Sequence, residues 1–173
     1  MPRALDGHGM KYVEAPGEFE NPGTALFVAG GITGCPDWQR DAVRQLEELC
    51  CEATVLNPRR ASFPQDDPRA HDGQVGWEYA ALRRADVILV WFCAETVQPV
   101  VLYELGFHAA RGDAVLVVGA HPQYERRRDV VAQLARARPD VTVLDSLSAT
   151  VRAAAVAAGA HAHRGDAAAP VAG

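Results

Sequence analysis

Between Val87 and Phe92 the chain reads VILVWF, an unbroken apolar run rich in β-branched and aromatic residues. A short run of this kind reads as a strand covered on both faces, which implies a parallel sheet with helices on either side. The flanking segments define its surroundings. Before it, Val75, Glu78, Tyr79 and Leu82 recur at i, i+3, i+4 and i+7, the buried stripe of an amphipathic helix with an acid inside it. After it, the stretch from Pro99 to Ala110, PVVLYELGFHAA, is apolar almost all round, and Glu104 is its only acidic residue. Glu78 and Glu104 therefore flank one central strand.

The remaining pattern alternates strands with helices. A first strand, Ala25–Ala29, runs into the glycine-rich loop Gly30-Gly31-Ile32-Thr33-Gly34, and a helix follows from Pro36 or Asp37 to about Cys50. A second strand, Ala53–Leu56, ends at Asn57-Pro58-Arg59-Arg60, and Ala61–Gly73 reads as a long loop of the lid or binding type. Beyond the central strand, Ala114–Val118 and Val141–Leu144 read as the fourth and fifth strands, with helices over about 129–136 and 147–158. The expected organisation is a mobile arm at 1–22 with a short extended piece near Met10–Val13, one domain at 23–158, and a flexible Ala- and Gly-rich tail at 159–173.

This is the pattern of a single flavodoxin- or Rossmann-like α/β domain, a five-stranded parallel sheet with helices on both faces. Right-handed crossovers favour the order 2-1-3-4-5, with strands numbered as they occur in the sequence. In that order the ligand crevice lies outside the carboxyl ends of the first and third strands. The loops there are Gly30–Asp37 and Cys93–Val100, with Glu104 in the first turns of the following helix, so the unexplained acid and the expected cleft coincide. Asp86 precedes the central strand and belongs at the opposite edge as a turn or capping residue.

Composition narrows the chemistry. With 173 residues and 49% hydrophobic content the chain suits one well-buried domain. A net charge of -5 and a pI of about 5.6 argue against a nucleic-acid or membrane-surface partner. No apolar run approaches a membrane span and the N-terminus lacks a signal-peptide layout, which points to the cytoplasm. Cys35, Cys50, Cys51 and Cys93 have no CxxC spacing and read as free thiols. His161-x-His163 lacks a third ligand, so neither a metal site nor a cofactor is expected.

There is no GxSxG elbow, and the glycine loop is neither a GxGxxG fingerprint nor a GK[ST] phosphate cradle. Its glycines serve either close ligand approach or a tight turn. Arg59 and Arg60 either neutralise a phosphate or carboxylate or pair with Asp66, Asp67 and Asp72. What remains is the chemistry of paired acids, in which one carboxylate attacks an electrophilic carbon and another protonates the leaving group, as in glycosyl transfer and hydrolysis.

The ordered set Phe27-Val28-Ala29-Gly30-Gly31-Ile32, Asn57-Pro58-Arg59-Arg60, Trp77-Glu78, Ala85-Asp86 with the central strand, and Tyr103-Glu104-Leu105-Gly106 resembles the nucleoside 2-deoxyribosyltransferase-like family over about 25–119. The resemblance implies that Glu104, in the ELG motif, is the nucleophile that forms a covalent deoxyribosyl-enzyme, which an acceptor base then resolves. Glu78 is implied to contact or protonate the leaving base, at a position where relatives commonly carry Asp. Candidate substrate-binding residues are Gly30, Gly31, Ile32, Asn57, Arg59, Arg60, Trp77 and Gln98. Gln98 falls where the family's transferases carry an Asp that holds the sugar 5'-hydroxyl. Its neutrality, with Arg59 and Arg60 nearby, opens the alternative of a nucleoside 5'-monophosphate N-glycosidase in which water is the acceptor. A non-catalytic nucleotide sensor on the same fold is the other alternative. Nucleosides or nucleotides and free bases are thus the expected partners, and the family resemblance implies a homo-oligomer.

Overall fold

The computed structural model describes residues 9–20, 23–64 and 66–167, so the parts of the expected arm at 1–8 and 21–22 and of the tail at 168–173 lie outside it. The VILVWF run is the strand β4 (Val87–Phe92), buried along its whole length. β2 (Ala25–Gly30) and β5 (Val115–Ala120) pair with its two sides, and β3 (Thr54–Asn57) and then β1 (Lys11–Glu14) extend the sheet beyond β2. All pairings are parallel, in the order β1-β3-β2-β4-β5.

The pleat sorts these apolar residues into two cores. Leu26, Val28, Val55, Val87, Leu89 and Trp91 face α1 (Trp38–Glu48) and α5 (Leu147–Ala167). Phe27, Ala29, Leu56, Ile88, Val90 and Phe92 face α2 (Pro68–Arg84), α3 (Pro99–Arg111) and α4 (Arg127–Ala137). Helices on both faces of a parallel sheet are the α/β class expected. α5 packs close because it is built of small residues, and at Gly119 a Cβ would stand 2.0 Å from Thr150 Oγ1.

Several expected elements take different bounds. Val141–Leu144 is reduced to a single parallel bridge, Gly119 to Leu144, beyond β5, and the fifth full strand is β1, drawn from the segment read as a mobile arm. The arm is held by ladder bonds such as Lys11 N–H to the Ala53 carbonyl, 3.0 Å, and Ala15 N–H to the Asn57 carbonyl, 3.0 Å. The last helix continues past Ala158 to Ala167. The long loop is shorter than expected because α2 already starts at Pro68, with Asp67 as its N-cap accepting from Arg69 N–H. Proline costs nothing at a first helical position, where its missing N–H has no intrahelical partner. The stripe Val75-Glu78-Tyr79-Leu82 is not the core face of α2. That face is Ala70, Trp77, Ala81 and Leu82, while Val75 and Tyr79 are exposed.

Asp86 lies at the amino edge of β4, where Oδ2 accepts from Ala25 N–H at 2.8 Å and from Arg84 at 3.0 Å. His161 of α5 approaches its other oxygen at 3.6 Å. No helix among the described residues is long and apolar enough to cross a membrane.

Candidate active site

β2 and β4 are neighbours whose following helices, α1 and α3, leave to opposite faces of the sheet, and this divergence opens a crevice at their carboxyl ends. A cavity of about 470 Å³ occupies it, within the range of small-molecule sites. Its floor is Phe27, Ala29 and Gly30; its walls are Gly31–Thr33, Thr96–Pro99, Pro58, the α2 residues His71, Gln74, Val75 and Glu78, and the α3 residues Val100, Val101 and Glu104.

Glu104 stands in the second turn of α3, between the buried Val101 and Leu105. Burial, then the charge of Glu78, pushes its carboxyl up from 4.5 to about 7. Glu78 is also raised by burial, against the opposing effects of a hydrogen bond from Gln74 and the charge of His71. Gln74 Nε2 donates to Glu78 Oε1 at 2.8 Å and to the Pro58 carbonyl at 2.7 Å. Two carboxylates in one apolar crevice are both driven toward the neutral form, and the charge of Glu78 helps Glu104 keep its proton to higher pH.

Gln98 joins the two loops of the crevice. It is buried, in the left-handed region with φ 56°, and immediately precedes α3. Its Oε1 accepts from Gly31 N–H at 2.9 Å, while Nε2 donates to the carbonyls of Cys93 and Thr96 at 3.0 and 3.1 Å. The Gly31 carbonyl is likewise engaged, by Trp38 Nε1 at 3.0 Å and Gln39 Nε2 at 3.2 Å. Glycine at 30 and 31 answers to this packing: a Cβ at Gly30 would lie 2.3 Å from Trp38 Cζ2 and 2.4 Å from the Trp91 carbonyl oxygen, and one at Gly31 would lie 2.4 Å from Cys35 Sγ. Behind this wall the thiols of Cys35 and Cys93 are in contact at 2.7 Å.

Of the candidate residues, Glu78, Glu104, Gly30, Gly31, Ile32 and Gln98 converge on the cavity; Asn57, Arg59, Arg60 and Trp77 do not line it. Asn57 ties β3 to Tyr12, Nδ2 to hydroxyl at 2.9 Å, and its Oδ1 accepts from Arg59 N–H at 2.9 Å. The Arg59 guanidinium turns to the loop before α1, donating to the carbonyls of Pro36 and Cys35 at 2.7 and 3.3 Å and to Gln39 Oε1 at 3.2 Å, with Asp37 at 3.6 Å. Arg60 lies 5.3 Å over the Phe63 ring. Trp77 packs in the core and donates to the Gly17 carbonyl at 2.7 Å. His71 lay inside the apparent loop, although the Asp67-Pro68 pair is a helix-start signal that brings it, with Gln74, onto the face of Glu78. Among the described residues no Arg or Lys lines the cavity, and no cluster of three or more potential metal ligands occurs.

No curated protein matches the sequence. The family model described as nucleoside 2-deoxyribosyltransferase like matches residues 23–124, from just before β2 into the loop after β5. That span contains β2, β3, β4 and β5 together with both acids, and the chain belongs to the nucleoside 2-deoxyribosyltransferase-like family.

Proposed function

We propose that the protein cleaves the N-glycosidic bond of a 2'-deoxynucleoside and transfers the deoxyribosyl group to a second base. The observation that carries this reading is the pair Glu78 and Glu104 in one apolar crevice, each raised and the second raised partly by the first. Ionised Glu104 attacks the anomeric carbon and the C–N bond breaks. Its electron pair leaves with the base, which takes a proton from Glu78. The acceptor base then attacks the glutamyl ester from the vacated side and returns its proton to Glu78, with net retention.

A nucleoside is favoured over its 5'-monophosphate by the charge of the crevice. Two acids line it, while Arg59 is held by the loop before α1 and Gln98 by the peptide groups of Gly31, Cys93 and Thr96. Exposed Val75, Tyr79, Val100 and Tyr103 form an apolar rim where α2 meets α3, which supports a homo-oligomer assembled next to the site. We assign the reaction to the cytoplasm.

The test is product analysis after incubation with 2'-deoxynucleosides, ribonucleosides and 5'-monophosphates, each with and without a second free base. A new nucleoside that forms only with the second base is the expected result. Free base without exchange would instead assign a hydrolase, and ligand binding that survives Glu104→Ala without turnover by the unaltered protein would assign a sensor.

A further inference from the structure

Gln98 holds a backbone conformation that a residue with a Cβ does not favour. Its φ of 56° lies in the left-handed region, where such a residue persists only if its surroundings hold it there. Rotation about φ turns the preceding peptide plane, which carries the Val97 carbonyl and the Gln98 N–H. That plane is pinned from outside the loop. The Tyr124 hydroxyl, 27 residues further along the chain, donates to the Val97 carbonyl.

Tyr124 is itself firmly set. Its side chain is buried, its ring stacks on Phe92 with centroids 4.9 Å apart, and its N–H donates to the His121 carbonyl at 2.9 Å. Burial pushes its phenol up to about 12, so the hydroxyl remains a donor wherever a carboxylate nucleophile works. The neighbouring carbonyls are held within the loop and its helix, those of Cys93 and Thr96 by Gln98 Nε2 and that of Gln98 by Leu102 N–H at 3.2 Å. At Val97 the tie comes from the turn between β5 and α4.

We infer that Tyr124 is a positioning residue: by fixing the Val97–Gln98 peptide it holds Gln98 left-handed and so sets the wall from Thr96 to Pro99 against the substrate. This rests on the reaction proposed above. Thr96, Val97, Gln98 and Pro99 all line the cavity, whereas Tyr124 does not and acts only through them. Without the hydroxyl the Val97 carbonyl loses that partner, and the plane is released toward an ordinary negative φ at Gln98. Such a turn would draw Gln98 Oε1 off the Gly31 N–H and shift the wall. Glu104 is less affected, because Val101 and Leu105 anchor its part of α3 in the core. The loss therefore falls on substrate binding, in the ground state and the transition state alike, rather than on the chemical step.

The experiment is steady-state kinetics of the unaltered protein and of Tyr124→Phe on 2'-deoxynucleosides at a saturating second base, with thermal unfolding of both proteins. Phenylalanine keeps the ring and its stack on Phe92 and deletes only the hydroxyl. The expected result is a KM raised about five- to tenfold with kcat within about twofold, the signature of lost uniform binding. A hydroxyl that serves stability alone would lower the unfolding temperature and leave both constants of the folded protein unchanged, which overturns the inference. A fall in kcat at unchanged KM also overturns it, by placing the effect on Glu104. So does a Tyr124→Phe protein that does not fold, which assigns the hydroxyl to the fold. If the unaltered protein turns over none of the nucleosides, the proposed reaction fails and takes the inference with it, whereas an unmoved KM in an active protein sinks the inference alone.

Discussion

Across the crevice the charge of Glu78 adds to burial in lifting Glu104 to about 7, so the ionisation of Glu78 bears on the proton occupancy of Glu104. A nucleophile that must be ionised is thereby held by the fold near its neutral form, and the consequences are measurable.

Stability and activity should part at Glu104. Its folded pKa lies above the ordinary 4.5, so the folded state binds more protons than the unfolded one between about 4.5 and about 7. The advantage of the neutral carboxyl is fully present below that window and lost as pH rises through it. Glu104→Gln should therefore stabilise the protein at pH 8 by an amount on the order of 1–3 kcal/mol and leave it nearly unchanged at pH 4. The same variant should lose roughly 10³-fold or more in turnover. Urea unfolding at the two pH values, together with product analysis, checks both halves.

The pH–rate profile should report the pair. With Glu104 required as the anion, kcat/KM should rise with pH through about 7. Glu78→Gln removes the smaller of the two causes of the shift, so the rising limb should move to lower pH while remaining above the ordinary carboxylate value, because burial persists. A substrate whose base departs without a proton, such as a 7-methylated purine nucleoside, keeps the variant active enough to measure. An unmoved limb would sever the coupling between the two acids.

Arg59 should prove to be a tether. Its guanidinium holds the carbonyls of Cys35 and Pro36, and Arg59→Met removes both bonds along with that to Gln39. A loss of about 1.5–3 kcal/mol is expected in denaturant unfolding. A rise in KM confined to 5'-monophosphates, without a change in stability, would instead place this arginine on a phosphate.

The glycine loop should tolerate no side chain at Gly30. A methyl there meets the Trp38 ring and the Trp91 backbone at once, and the backbone cannot move aside as the end of a flexible side chain would. Gly30→Ala should destabilise by about 1–3 kcal/mol, with lowered activity that follows from displacement of the wall. Thermal unfolding followed by near-UV circular dichroism, to which Trp38 and Trp91 contribute, would register the displacement.

How far the sequence was readable depended on how locally each feature is encoded. The VILVWF strand and the lone acid of PVVLYELGFHAA carry their signals within a few residues, and both stand where the pattern places them. The arrangement β3-β2-β4-β5 followed from alternation and handedness alone. β1 was harder to foresee because a strand as short as Lys11–Glu14 is defined by its partner β3 more than by its own composition. His71 was obscured by prolines and acids that resemble a loop until Asp67 is seen as a cap. The direction in which Arg59 points depends on carbonyls some twenty residues away in sequence, which no local pattern encodes.

Gln98 also bears on how such a crevice can change over generations. One side chain both supplies the polarity at this end of the cavity and closes hydrogen bonds to Gly31, Cys93 and Thr96 from a left-handed backbone. A carboxylate in its place could still accept from Gly31, but it would face the carbonyls of Cys93 and Thr96 with no hydrogen to offer. Preference at this end is therefore not adjustable by single substitutions. A lineage, or an engineer, that wished to alter it would have to rebuild the loops around residues 31 and 93–98 in the same step.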